Sequence, residues 1–260
     1  MPSSQDSFLD PVPGDPTIHN PARRSGDSKN ANMTPFMNPA VVVSYTAEAP
    51  KKVPGLADLH RMTTILLSER APQGARILAV GAVGGLELKA MAEARPDWQF
   101  VGVDPSAPML DIARQTIAPL ADRIELMTGT VDQAPAGPFD GAVCLLTLHF
   151  LDRDERLHIL KNISSRLRSG GAMVIAHHSA VDGEADRWLA RSSAFADHTG
   201  FDPNRAATSA KTMTERLPLL TPLEEEEVLS EAGFADPKLF YAAFSFRGWV
   251  AHAARKAPMT

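Results

Sequence analysis

Residues 75–104 read ARILAVGAVGGLELKAMAEARPDWQFVGVD. The apolar run Ile77 to Val80 closes on the turn Gly81-Ala82-Val83-Gly84-Gly85, the following LELKAMAEA has helical character, and a second apolar run ends on Asp104. Strand, glycine turn, helix and strand make a βαβ unit. Working outward, GLADLHRMTTILLSE from Gly55 to about Glu69 places Leu56, Leu59, Met62, Ile65 and Leu66 at three- and four-residue spacings, one apolar face of a helix. On the other side, APMLDIARQTIAPL reads as helix and RIELMTG as strand. FDGAVCLLTLHFL reads as strand into loop, DRDERLHILKNISSRL as helix, Arg168-Ser169-Gly170-Gly171 as turn and AMVIAHHS as strand. This alternation predicts a Rossmann-like, doubly wound α/β fold with a mostly parallel sheet and a ligand crevice at the carboxyl ends of its strands.

Two features mark that crevice. Glycine in the turn after the first strand lets backbone come close to a ligand at a helix N-terminus. The turn matches neither G-x-G-x-x-G nor a P-loop, since no Gly-Lys-Ser/Thr follows, so a nucleoside triphosphate is disfavoured. Asp104 closes the second strand, where a carboxylate can accept hydrogen bonds from both hydroxyls of a ribose whose remainder lies against the glycine turn. Together they point to an adenosine-type ligand. The competing reading of Asp104 is an N-cap for the helix that begins near Ser106.

After Val181, DGEADRWLARSSAFADHTG and NRAATSAKTMTERL read as two helices, a lid insertion over about 182–220. TPLEEEEVLSEAGF is a punctuated helix, with Thr221 as N-cap, Pro222 in the first turn and Gly233 as stop. KLFYAAFSFRGWVAHA reads as two β-segments broken near Arg247-Gly248. The first stretch, 1–40, is rich in Pro, Ser, Asn and Asp without periodicity and reads as a disordered or mobile tail before a domain over 41–260.

Composition narrows the partners. The 26 Lys+Arg and 31 Asp+Glu give a formal charge of -5 with no dense basic cluster, which argues against nucleic acid and for a small-molecule substrate. No apolar run suits a membrane span, the N-terminus lacks a secretory pattern, and the single cysteine, Cys144, fits a reducing compartment, so a cytoplasmic protein is expected.

The segment from Ala75 to Gln115 resembles the first two motifs of class I S-adenosylmethionine-dependent methyltransferases. FDGAVCLLTLHFL, the helix after it and SGGAMVIAH resemble that family's fourth strand, helix and fifth strand. The resemblance, which runs from about Gly55 to the last strand, implies a seven-stranded sheet with an antiparallel last strand, a capping helix, and S-adenosylmethionine as cofactor with S-adenosylhomocysteine as product. It implies that Gly81, Ala82, Val83 and Gly85 face the methionine moiety, Asp104 the ribose, Pro105 and Met109 the adenine, and Thr130 and Val131 the adenine amine. Two positions depart from the pattern: Ala79 stands where an acid usually precedes the first glycine by two residues, and Val83 replaces the usual second glycine.

A closer likeness is to the carboxy-S-adenosylmethionine synthase-like branch, carried by PGL at Pro54-Gly55-Leu56, the LTLHFL string, the long insert, the EAGF step and the F-x-F-x-G-x-V-A ending. That branch moves a carboxyl group onto the cofactor. Leu56 stands where it has a tyrosine, Leu145 where it has an asparagine in the cofactor site, and Lys211 near its carboxylate-binding arginine. Methyl transfer to a small-molecule acceptor is therefore favoured, with carboxyl transfer and non-catalytic cofactor binding as the alternatives, and a homodimer is compatible with the pattern.

Methyl transfer needs positioning, an apolar wall and sometimes a base. The base candidates are His149 after the fourth strand, and His177 and His178 at the end of the fifth, where strand alternation lets only one of the adjacent pair face the ligand. Tyr45, His60, Lys211 and Tyr241 are the candidates to contact substrate. Adjacent histidines without a partner one helical turn away are a poor ligand pattern, so no metal site is expected.

Overall fold

The computed structural model describes Val42, residues 44–181 and residues 183–254. The tail expected over residues 1–40 lies outside them. The elements are α1 (Tyr45–Lys52), α2 (Leu56–Ser68), β1 (Arg76–Val80), α3 (Leu86–Ala94), β2 (Gln99–Asp104), α4 (Ala107–Thr116), β3 (Ile124–Thr128), β4 (Phe139–Leu145), α5 (Arg153–Arg166), β5 (Leu167–His178), α6 (Ala185–Ala196), α7 (Pro203–Arg216), α8 (Pro222–Glu231), β6 (Phe234–Ala243) and β7 (Phe246–Ala253).

The strands form one seven-stranded sheet in the order β3-β2-β1-β4-β5-β7-β6. All pairings from β3 across to β5 are parallel, and β7 runs antiparallel to both of its neighbours. The order in which strands are added reverses between β1 and β4, the switch point at which such folds open a crevice. Strand β1 is apolar from Ile77 to Val80 because helices cover both faces. Ile77 and Ala79 pack with Leu59, Leu67, Leu88 and Met91 on one side, whereas Leu78 and Val80 pack with Leu160, Ile163, Val228 and Leu229 on the other.

Local chemistry sets the boundaries. Asp152 and Thr221 each head a capping box, with Glu155 and Glu224 returning the bond, at the starts of α5 and α8. The segment Arg168 to Gly171, read from sequence as a turn, lies inside β5: Phe139 pairs with Leu167 and Gly141 with Ala172, so the residues between bulge outward, with Gly170 at φ 75°. The break in the final β-pair falls at Phe244-Ser245 rather than at Arg247-Gly248, which sit inside β7. Phe244 takes φ 53°, so the turn is made without the glycine that the sequence offered as its marker. Helices α6 and α7 follow β5 and pack against each other.

Candidate active site

Strands β1, β2, β4 and β5 end on a common crevice. Its main cavity, about 140 Å³, is lined by residues that include Tyr45, Lys52, Val83, Asp104, Met109, Leu146, Thr147, His149, Phe150, His178 and Phe246. A narrow extension of about 10 Å³ shares Tyr45, Ala49, Val83 and Leu146 and adds Leu56, His60, Gly81, Leu86, Glu87 and Leu145.

The glycine turn is fitted closely into this crevice. Gly81 has φ 74°, and a Cβ there would stand 2.2 Å from Thr147 Oγ1; Gly84 has φ 70°, and a Cβ would stand 2.9 Å from the Tyr45 ring. Gly85, at φ 73°, does not line the crevice but lies against the backbone of Ala113 in α4. The amides of Gly81 and Ala82 both donate to Val103 O, at 2.9 and 3.2 Å. Those two N–H groups are therefore turned into the sheet, and Gly81 and Val83 meet the crevice through their surfaces. Ala82 is wholly buried beside Gly102.

Asp104 is 1% exposed. Its Oδ1 accepts the Ser106 N–H at 2.7 Å, and Oδ2 has no partner among the described residues. Burial raises its pKa to about 6, against the lowering effect of the Ser106 bond. A second buried carboxylate, Glu87, lies at the start of α3 and lines the narrow extension. Burial lifts Glu87 to about 8, its own amide offsets part of that, and the Asp104 charge adds to it. Both acids push the Tyr45 hydroxyl further above its ordinary value, beyond what burial does alone. His60, on α2, lines the same extension and is held near 4 by burial.

The histidines separate as strand alternation requires. His178 lines the cavity, with Nδ1 2.7 Å from Ser245 Oγ, which in turn lies 2.6 Å from Ser192 Oγ, and its ring stacks on Phe246 at 3.9 Å. Burial and the neighbouring His177 depress its pKa to about 3. His149 also lines the cavity, and its Nδ1 accepts the His178 amide at 3.4 Å. Burial first, then the other two histidines and Arg156, hold it well below the usual imidazole range. His177 is on the opposite face of β5, wholly buried, with Nε2 2.8 Å from Glu225 and its ring beside Trp249. It lines neither part of the crevice.

Among the other expected site residues, Met109 and Leu145 line the crevice. Pro105 is exposed and Thr130 is engaged in a capping box with Gln133, while Val131 is buried in the core beneath it; none of the three lines the crevice. Lys211 is exposed on α7 and lines none of these cavities. Tyr241 donates its hydroxyl to Pro54 O at 2.6 Å, tying β6 to the loop before α2, and so is spent on structure. Glu87 went unread because an acid in a first helical turn ordinarily answers the helix dipole. Thr147, Leu146 and Phe246 sat in quoted strings whose periodicity gave no sign of where they point. Among the described residues no set of three His, Cys, Asp or Glu side chains is arranged to hold a metal.

The sequence profile of a family described as a methyltransferase domain matches residues 77–171, which span β1 into β5. With the glycine turn, the tip of β2 and the antiparallel β7, this is the pattern of the class I S-adenosylmethionine-dependent methyltransferases, which the chain resembles through its methyltransferase domain. More particularly, it is similar to the carboxy-S-adenosyl-L-methionine synthase of Campylobacter lari, 25% identical over 203 residues that cover 77% of this chain and 87% of that protein. Among solved structures it superposes on a provisionally assigned O-methyltransferase from Nostoc punctiforme with a TM-score of 0.61 at 22% identity, covering 81% of this chain and 59% of that one. It also superposes on magnesium protoporphyrin IX methyltransferase from Synechocystis, solved with bound S-adenosylhomocysteine, with a TM-score of 0.55 at 16% identity, covering 77% and 84% of the two chains. These likenesses to solved structures speak to the fold.

Proposed function

We propose that the protein transfers the methyl group of S-adenosylmethionine to a small-molecule acceptor. The observation that carries this is the buried, unpartnered Oδ2 of Asp104 lining a crevice walled by the glycine turn. An orphaned acceptor of this kind is costly unless a ligand donates to it, and ribose hydroxyls are donors of the right type. Glu87 supplies the carboxylate that Ala79 lacks, at the end of the crevice where the glycine turn and His60 meet. It would hold the ammonium of the cofactor's amino-acid arm. Met109 offers an apolar side chain to the adenine.

Bound there, the cofactor supplies an electrophilic methyl group on a positively charged sulfur. The chain's own part is to position the acceptor and receive its proton. His178 Nδ1 is engaged by Ser245, which leaves Nε2 as the ring atom for the acceptor. In the tautomer that donates Nδ1–H to Ser245 Oγ, Nε2 presents a lone pair. A neutral imidazole with a pKa of about 3 is a weak resting base. An acceptor hydroxyl, however, becomes strongly acidic as its oxygen bonds to carbon, so Nε2 still takes the proton. Val83, Leu146, Phe150 and Phe246 keep the site apolar around a reaction that neutralises charge on the cofactor.

The second reading is carboxyl transfer to the cofactor, favoured by the 25% identity to a carboxy-S-adenosyl-L-methionine synthase over most of that protein's length. Against it, Leu56 and Leu145 bring apolar side chains to the narrow extension at the positions where that branch has tyrosine and asparagine, and Lys211 stands away from the crevice. Mass spectrometry of the full chain incubated with S-adenosylmethionine and an acceptor panel separates the readings. Formation of S-adenosylhomocysteine with a methylated acceptor is expected. Carboxylated cofactor as the product, or tight binding without turnover across the panel, would overturn methyl transfer.

A further inference from the structure

A second, larger cavity of about 490 Å³ adjoins the crevice and shares Lys52, His178 and Phe246 with it. Its outer wall is the α6–α7 pair, through Ser192, Ser193 and Ala196 on one helix and Ala206, Ser209 and Met213 on the other, with Asp197, Thr199 and Arg205 near the connection. The volume is that of an ordinary small-molecule site. The lining divides by chemistry. Met213, Ala196, Ala206 and the Phe246 ring are apolar; Ser192, Ser193, Ser209 and Thr199 are hydroxyl-bearing.

The charges do not cancel. Lys52 and Arg205 face a single acid, Asp197. That acid is already satisfied: Oδ1 accepts the Thr199 amide and hydroxyl at 2.9 and 2.6 Å, and Oδ2 pairs with Arg205 Nε at 2.8 Å. The neighbouring Lys51 is paired with Glu48. Lys52, in the last turn of α1, has no carboxylate within ion-pair distance among the described residues, and it stands at the junction of the two cavities with His178. His178 adds no further positive charge, since burial and His177 keep its imidazole neutral.

We propose that this second cavity is the acceptor site and that it takes a small organic acid: a molecule with an apolar body, a carboxylate held by Lys52, and a hydroxyl presented to His178 Nε2. The step balances as a displacement. The acceptor oxygen forms a bond to the methyl carbon as the carbon–sulfur bond breaks, its electron pair stays on sulfur, and the hydroxyl proton passes to Nε2 and then to solvent. The assignment rests on the methyltransferase reading for the step, but not for the binding.

The test uses the full chain and matched probes: 4-hydroxyphenylacetate as the acid, 4-hydroxyphenylacetamide as its neutral counterpart and tyramine as the amine. Wild type and Lys52→Glu are first titrated calorimetrically with S-adenosylhomocysteine. Failure there removes the cofactor reading before any acceptor is added. Each saturated protein is then titrated with the three probes by ligand-observed NMR, and ratios are compared within one protein so that a general loss of fold cancels. Lys52 is exposed, so the wild type is expected to favour acid over amide by about two- to fivefold, the size of a solvent-screened ion pair. Lys52→Glu should invert the preference toward tyramine. Equal binding of acid and amide by the wild type, no binding of the acid, or an unchanged acid-to-amine ratio in Lys52→Glu would overturn the proposal.

Discussion

The Ser106 amide donates to Asp104 Oδ1 at 2.7 Å, while Ser106 Oγ in turn accepts the Met109 amide at 3.2 Å. Ser106, not Asp104, therefore caps α4, and the strand-tip carboxylate keeps one oxygen for a ligand.

Replacing that carboxylate tests the ribose assignment. Asp104→Ala is expected to weaken S-adenosylhomocysteine binding by about tenfold or more, about 1.4 kcal/mol, as measured by calorimetry. The pH dependence has a definite sign. With a pKa raised to about 6, Asp104 becomes protonated as pH falls below that value, one oxygen then carries a proton, and wild-type affinity should decline there. Affinity in Asp104→Ala should lose that limb. Unchanged binding in the variant would put the ribose elsewhere.

Glu87 makes a separate, proton-linked prediction. Free of ligand, its pKa of about 8 keeps it protonated at neutral pH. An ammonium group beside it favours the ionised form, so binding S-adenosylmethionine near pH 7 should release a proton, seen as a dependence of calorimetric heat on buffer ionisation enthalpy. Glu87→Gln should bind more weakly and release much less. The stability sign runs the other way. A carboxyl raised in the folded state contributes stability that is present below its unfolded value of 4.5 and is lost as pH rises through about 8. The ligand-free Glu87→Gln protein should thus melt above wild type at about pH 8.5, with the gap narrowing as pH falls and closing at about pH 4.5 in a thermal-shift series.

The glycine turn separates strain from collision. Gly74 and Gly81 have similar dihedrals, φ 69° and 74°, but a Cβ at Gly74 meets nothing within 4 Å while one at Gly81 meets Thr147 Oγ1 at 2.2 Å. Gly74→Ala should cost about 1 kcal/mol, the ordinary penalty of a left-handed alanine. Gly81→Ala adds a clash at the floor of the crevice and should cost several times as much, about 3 kcal/mol, with loss of cofactor binding. Urea unfolding of the two variants gives the comparison, and equal costs would mean that the β1 turn is loosely held.

The sequence made the sheet legible because β1 and β2 carry continuous apolar runs punctuated by glycine and aspartate, signals set by residues adjacent in the chain. Of the crevice, Gly81 and Asp104 were legible by the same local logic, Val83, Met109 and Leu145 by resemblance, and Tyr45, His60, His149 and His178 as candidates whose direction the pattern left open. Glu87 and Lys52 were not, because an acid at a helix start and a lysine at a helix end are ordinary surface choices until neighbouring elements bury or isolate them. His177 and His178 shared one motif, and only the pairing of β5 with β4 and β7 decides which ring meets the cavity. Lys211 was placed at the site by resemblance and Tyr241 as an aromatic candidate to line it; in the fold Lys211 is exposed and Tyr241 is hydrogen-bonded to Pro54.

On the opposite face of β5, His177 and Arg156 meet the Glu225 carboxylate in a wholly buried cluster. Arg156 donates to Glu225, to Leu151 O at 2.9 Å and to Pro218 O at 2.7 Å, joining α5, α8 and the segment before α8. Removing one member strands a charge without water, so Arg156→Met should lower unfolding free energy by about 3–5 kcal/mol in urea. Removing both ion-pair partners in Arg156→Met/Glu225→Leu should recover part of that, because no buried ion is then left without its counter-charge, although His177 and the Leu151 and Pro218 carbonyls lose their partner. Burial works to raise the Glu225 carboxyl, but the His177 and Arg156 charges outweigh it and hold its pKa below the ordinary 4.5. A depressed acid contributes stability that is present above its unfolded value and lost as pH falls through the folded one, so wild type should lose this contribution only below about pH 4.5, and the double variant should show a flatter acid limb. None of the three residues lines the crevice, so S-adenosylhomocysteine affinity of the folded double variant should match wild type. A large loss of affinity at full folding would mean that the cluster sets the position of His178 through β5 rather than only holding α5 and α8 against the sheet.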